Sequence, residues 1–118
     1  MNAPLPPLSK LIKIPGIASP VQSETISHFE GFGNYSRLFF LGKSAPVVVS
    51  QTLKLFELQL PNFLRVSKSH LVNPQHIISL DNLKGRSNQL TLSNEVFVPV
   101  SRRRIDGIRT QLSVQGVH

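Results

Sequence analysis

The chain has 118 residues, 40% of them hydrophobic, no cysteine, and a formal net charge of +7 from thirteen Lys and Arg against six Asp and Glu. That length supports a single domain able to bury about two thirds of its unfolded surface; the composition excludes disorder over most of the chain, and the missing thiols exclude disulfides, thiol nucleophiles and cysteine-held zinc together. No apolar run nears the roughly 18 residues of a membrane span and the start lacks a secretion signal, so the sequence reads as soluble and cytoplasmic.

Met1 to Leu8 carries three prolines and no charge, which predicts a flexible arm over residues 1–8. Leu11, Ile12 and Ile14 suggest a short strand ended by Pro15-Gly16, and Pro20 makes the next segment an edge or bend. Ile26 to Glu30 reads as a strand joined by the Gly31-Phe32-Gly33-Asn34 turn to a second, Tyr35 to Leu41. That Gly-x-Gly lacks the third glycine, lysine and following helix of a nucleotide loop. Val47-Val48-Val49 reads as a buried strand. Ser50 then caps a helix through Gln59, with Leu53, Phe56 and Leu60 along one stripe and Pro61 as its stop.

Phe63 to Asn73 is the segment with the most chemistry. Leu64 and Val66 alternate with Arg65 and Ser67, the period of a half-buried strand. Lys68-Ser69-His70 then sets three hydrogen-bonding side chains in a row before Leu71-Val72 return to the core and Asn73-Pro74 turn the chain. Such a segment, read as one interrupted strand, holds out groups that suit phosphate oxygens and base edges. Beyond it, His76 to Leu80 predicts a strand and Asp81 to Asn88 a polar loop containing Lys84-Gly85-Arg86. Leu90 to Leu92 and Val96 to Val100 predict a hairpin. Ser101 is a plausible cap for a last helix, which would place Ile105, Ile108 and Leu112 on one face and Arg103 nearly opposite. The tail beyond, residues 114–118, is expected to fray.

Net charge is +2 over residues 1–59 and +5 over residues 60–118, so the basic excess gathers where this chemistry lies, and an anionic partner suits it. The run Arg102-Arg103-Arg104 at a helix start faces the positive end of the dipole; that conflict resolves either by solvent screening of a solvated face or, as the basic excess favours, by arginines and helix amides together receiving an anion. His28, His70, His76 and His118 have neither helical pairing nor neighbouring carboxylates at ligand spacing, so no metal is expected. His28 reads as a partly exposed strand residue, and His70 either faces a nucleic acid or bonds locally. The serines lack Gly-x-Ser-x-Gly and the six acids are scattered, which argues against catalysis, a cofactor or a small-molecule substrate. Phe32 and Tyr35 are candidates for base stacking, whereas Phe29, Phe39, Phe40, Phe56, Phe63 and Phe97 read as core.

Phe63 to Asn73, with Gly33-Asn34-Tyr35-Ser36 and Thr52-Leu53 before it, Leu60-Pro61 beside it and Pro99-Val100-Ser101-Arg102-Arg103 after it, resembles the LytTR family of DNA-binding domains. The resemblance runs from about residue 11 to residue 112. It implies a mainly β fold of about nine to ten short, mostly antiparallel strands in small packed sheets with one or two short helices, over residues 9–113. It also implies a bacterial transcription regulator, response-regulator-like but without a receiver domain ahead of it, whose loops enter successive major grooves of double-stranded DNA; its regulation is open between a partner, self-association as a dimer on tandem half-sites, and expression level. Matched position by position, base contacts fall to Ser36, Lys68 and Arg103. Backbone contacts or loop support fall to Tyr35, Arg37, Arg65, Ser69, His70, Asn73, Ser101 and Arg102. The family pattern more often has His, Arg and Tyr where this chain has Ser67, Lys68 and His70, and glycine where it has Glu95. The alternatives are a β module for RNA or single-stranded nucleic acid, and a basic protein-interaction module, which would need an exposed apolar patch.

Overall fold

The structure, a computed structural model, describes residues 10–82 and 88–114. The arm at 1–8, the Lys84-Gly85-Arg86 cluster and the tail at 115–118 lie outside the described residues. In chain order the elements are β1 (Leu11–Ile12), β2 (Val21–Gln22), β3 (Ile26–Phe32), β4 (Tyr35–Phe40), β5 (Val47–Val49), α1 (Leu53–Gln59), β6 (Leu64–Ser67), β7 (His70–Val72), β8 (Ile77–Asn82), β9 (Asn88–Leu92), β10 (Phe97–Val100) and α2 (Ile105–Val114). All strand pairs are antiparallel. They form a five-stranded sheet ordered β5-β4-β3-β7-β6, a three-stranded sheet ordered β10-β9-β8, and the pair β1-β2. This is the mainly β arrangement of small sheets and two helices that the sequence predicts. Among the described residues no helix is long and apolar enough to cross a membrane.

The five-stranded sheet is covered on one face along its length and on the other at its β7–β6 end. Toward α1, Phe29, Leu38, Val49 and Leu71 pack with Leu53, Phe56, Leu60 and Phe63; Phe29 lies 4.6 Å from Phe56 and 5.9 Å from Phe63, ring centre to ring centre. On the other face Leu64, Val66 and Val72 meet Leu90, Leu92, Val98 and Val100 of the three-stranded sheet and Ile108 and Leu112 of α2. The β6–β7 hairpin therefore belongs to both cores, Leu71 to one and Leu64, Val66 and Val72 to the other. Successive strand residues point to opposite faces, so a hairpin between two cores is clamped from both sides. Gly31 shows how close α1 comes: a Cβ there would lie 3.3 Å from the Leu53 side chain.

Several expectations are corrected. Phe63 to Asn73 is not one interrupted strand but a hairpin, β6 and β7, with Lys68-Ser69 as its turn. The first helix starts at Leu53, not after Ser50, and Thr52 precedes it without a side-chain capping bond. The last helix starts at Ile105, because the Ser101 N–H is taken by the Val66 carbonyl (2.9 Å) and the Arg104 N–H by the Ser101 carbonyl (3.0 Å). Arg102-Arg103-Arg104 thus forms a turn ahead of α2, and the helix runs on to Val114 with Ile108 and Leu112 buried as their spacing predicts. His28 is buried rather than partly exposed, and Phe97, expected in the core, is 61% exposed because the three-stranded sheet packs through one face only.

Glu95 in the β9–β10 turn has φ 65°, the one non-glycine residue with positive φ among those described. A side chain in the left-handed region costs about 1–2 kcal/mol, and this is the position where the family pattern favours glycine. Glu95→Gly is expected to stabilise the domain by about 0.5–1 kcal/mol, after the larger unfolded-state entropy of glycine is subtracted. Thermal melting checks this; a lower melting temperature in the variant would mean that the Glu95 side chain contributes more than the strain removes.

Candidate nucleic-acid interface

The β3–β4 turn, the β6–β7 turn and the arginine turn before α2 carry most of the residues singled out by sequence. In the first, Gly33 at φ 60° supplies the left-handed residue that a tight hairpin needs. Phe32 and Tyr35 pair across it with rings 5.8 Å apart and nearly parallel, and the Arg37 guanidinium sits 4.0 Å over the Phe32 ring. Register then sets Arg37, Glu30 and His70 side by side on β4, β3 and β7. Arg37 Nη1 donates to Glu30 Oε1 at 2.7 Å, and His70 Nε2 lies 3.7 Å from Glu30 Oε2. Arg37 is half-exposed, so this pair contributes at most about 1 kcal/mol and leaves the guanidinium exchangeable toward a phosphate.

The β6–β7 turn is built from its own carbonyls. Arg65 Nε donates to the Ser67 carbonyl (2.9 Å), Arg65 Nη2 to the Lys68 carbonyl (2.7 Å), and the Gly31 N–H to the Ser69 carbonyl (2.8 Å). Arg65 Nη1 donates to Glu57 Oε1 on α1 at 2.7 Å. Ser67 Oγ accepts from the Ser69 N–H and lies 3.0 Å from His70 Nδ1. Every carbonyl from Ser67 to Ser69 is thus held from inside, while the Lys68 side chain is exposed. Arg65, only 17% exposed at its side chain, supports this turn.

Two open clefts share Arg65. One, of about 390 Å³, is lined by Gly31, Gly33, Lys54, Lys68 and Ser69. The other, of about 620 Å³, is lined by Glu57, Asn62, Arg103, Arg104 and Gln111 among others. Arg104 Nη1 also donates to the Arg65 carbonyl at 3.3 Å. The three turns are therefore brought around one half-buried guanidinium, with Lys68, Arg102 and Arg103 exposed and Ser69 and Ser101 partly so.

Two of the expected site residues are buried. Ser36 is fully covered and its Oγ donates to the Gln51 carbonyl at 2.7 Å. Its hydroxyl is spent on the segment before α1, so in this structure Ser36 does not present the group expected to contact a base. Asn73 is 1% exposed; its Nδ2 donates to the Ser23 and Ile26 carbonyls and its Oδ1 accepts from the Gln75 N–H, so it secures the end of β7. Glu30, Lys54 and Glu57 were not singled out from the sequence. Glu57 is eight residues from Arg65, and no local spacing marks the two as partners.

Burial governs the two inner histidines. Desolvation first, then the nearby His70, hold the pKa of His28 down at about 4, against a smaller opposing pull from Glu30. Its ring stacks 4.3 Å from Phe39, with Nδ1 2.9 Å from Ser27 Oγ. His70 is lowered too, by desolvation, with Glu30 pulling it up. Near neutral pH both rings are mainly uncharged, so His70 serves the turn through hydrogen bonding rather than as a cation.

Comparison with known proteins bears on the fold that carries these turns. The family model described as the LytTr DNA-binding domain matches residues 19–113. A solved structure, the LytTr DNA-binding domain of a Bacillus cereus protein described as a methyl-accepting/DNA response regulator, superimposes with a TM-score of 0.69 over 88% of this chain and 95% of that one, at 22% identity. No curated protein matches the chain. With the family pattern spanning residues 19–113 and the same arrangement of strands and helices, this chain belongs to the LytTr family of DNA-binding domains.

Proposed function

We propose that this domain is a cytoplasmic transcription regulator that recognises a specific double-stranded DNA sequence by entering the major groove with the Lys68 turn and the Arg103 turn. The observation that carries this reading is the Lys68 turn, whose three carbonyls are captured from within while its cationic side chain projects free. Lys68 and Arg103 suit guanine O6 and N7, Arg103 with a two-pronged fork and Lys68 as a point charge. Tyr35, Arg37, Ser69, Ser101 and Arg102 serve the sugar-phosphate backbone, and Ser36, Arg65, His70 and Asn73 support the turns. Two copies on half-sites about one helical turn apart would complete the arrangement.

Selection of bound duplexes from a random pool should return a short motif, and affinity for it should fall with salt at a log-log slope near −5 to −7, as about five to eight phosphate contacts require. One observation favours a second reading: the Phe32–Tyr35 pair is exposed at 37% and 48%, and exposed rings can stack on unpaired bases. Stronger binding to single strands in the same titration would put that reading first.

Arg103 and Arg109 separate readout from charge. Both are exposed, but Arg103 lies in the turn beside the Arg65 cleft and Arg109 lies on α2. Arg103→Ala is expected to cost about 1–3 kcal/mol on the selected site and much less on random DNA. Arg109→Ala should weaken both by one similar small factor. Equal specificity ratios for wild type and Arg103→Ala would leave the arginine turn as a phosphate anchor.

A further inference from the structure

The two central residues of the β6–β7 turn, Lys68 and Ser69, include no glycine, proline or asparagine, so the turn draws its shape from elsewhere. Ser67 Oγ accepts from the Ser69 N–H, the Gly31 N–H donates to the Ser69 carbonyl, and Arg65 supplies the rest, its Nε and Nη2 donating to the Ser67 and Lys68 carbonyls at 2.9 Å and 2.7 Å. A guanidinium is a rigid planar fork, so fixing its third nitrogen fixes the direction of the other two. That third nitrogen, Nη1, is held at 2.7 Å by Glu57 Oε1, on the flank of α1 beside the buried Phe56.

Resting on the DNA-binding reading above, we propose that Glu57 is a positioning residue for sequence readout. Its carboxylate locks the Arg65 fork, the fork locks the turn, and the turn aims Lys68. Toward DNA itself Glu57 offers only repulsion. An ion pair on an open surface would contribute little, but here the Arg65 side chain is 17% exposed and makes three bonds at once. Without Glu57, Arg65 is a half-buried cation lacking its counter-charge, next to an open cleft that it already lines with Arg103 and Arg104. It would swing toward water and release the Lys68 carbonyl. The effect on DNA then has two parts of opposite sign: loss of an acid strengthens attraction to any phosphate backbone, and loss of the lock weakens discrimination.

The test uses the full chain as wild type, Glu57→Gln and Glu57→Ala, with the duplex selected by the wild type and a scrambled duplex of equal length, at two salt concentrations. For Glu57→Ala the ratio of selected to scrambled affinity should fall about five- to tenfold, while scrambled-duplex affinity stays level or rises. Glu57→Gln, whose amide oxygen can still accept from Nη1, should fall between. In the free protein, exchange of the Lys68 and Ser69 amides should speed up in Glu57→Ala, with the melting temperature little changed. An unchanged ratio with unchanged exchange overturns the proposal and leaves Glu57 as a repelling charge, as would equal tightening on both duplexes. Parallel losses on both duplexes together with a lower melting temperature in both variants would make it a stability residue instead. If the wild type selects no duplex at all, the DNA-recognition reading fails and this proposal falls with it.

Discussion

Acidification from pH 7 to pH 5 is expected to remove about 2 kcal/mol of folding stability through His28 alone, rising to about 3 kcal/mol near pH 4. In the folded domain this imidazole resists protonation down to about 4, while in the unfolded chain it binds a proton near 6.5. The unfolded state therefore takes up more protons across that interval. The stabilisation is complete above pH 6.5 and is lost as the pH falls toward 4. His70 acts in the same direction, since its pKa is also lowered by burial. For a domain whose total stability is of order 5–15 kcal/mol, a loss of this size is a large share of the total and is readable as a shift of the denaturation midpoint while the folded state still dominates. Denaturant titrations at pH 7, 6 and 5 measure the slope above the range in which ordinary carboxylates titrate. His28→Phe, which preserves an aromatic partner for Phe39, should flatten most of it. A variant that keeps the wild-type slope would move the effect to another group.

Truncation in the shared hairpin should have the largest effect of any single substitution tied to the interface. Leu71 is fully buried in the α1-side core with Phe29 and Phe56, on the strand that carries His70 and completes the Lys68 turn. Leu71→Ala is expected to cost about 2–5 kcal/mol, lowering the melting temperature by roughly 10–20 °C and weakening specific DNA binding through the loosened turn. Lys68→Ala, at an exposed position, should leave melting almost unchanged and reduce DNA affinity. The pair is measured by calorimetry and duplex titration on the same preparations. If Lys68→Ala melts early while Leu71→Ala does not, the assignment of support to Leu71 and contact to Lys68 is inverted.

Much of the architecture was legible in local pattern. The alternation of Tyr35 to Phe40, the valine run 47–49, the Gly33-Asn34 turn and the i, i+3, i+7 stripe of Leu53, Phe56 and Leu60 each depend on neighbours a few residues apart. Those elements appear where the sequence predicts them, except that Val48 is 54% exposed on the edge strand β5 instead of buried and the first helix starts at Leu53. The grouping of Lys68 and Arg103 as candidates came from the resemblance to the LytTR family, position by position, and both side chains are exposed beside clefts that meet at Arg65.

What the tertiary structure alone decided concerns which faces are covered and which groups close the turns. Alternation assigns residues to two faces of a strand but does not reveal whether one or both will be buried. Because the five-stranded sheet is packed on its second side around β3 and β7, His28 is enclosed, and Ser36, on the α1 face with Leu38, is enclosed beneath the segment that leads into α1, although their polarity alone predicts solvent. Because the three-stranded sheet packs through one side, Phe97 is left outside. The Lys68-Ser69 turn has no glycine, proline or asparagine; besides the local bonds of Ser67 and Arg65 it is held by Glu57 on a helix, through Arg65, and by Gly31 on another strand. Glu57 and Gly31 reach it only when the chain has folded, so their coupling leaves no period or spacing in the sequence. By itself the sequence determined most of the strand and helix segments, the basic charge and the exposed cations; tertiary packing split Phe63 to Asn73 into a hairpin, set the helix starts, and decided which polar residues became supports.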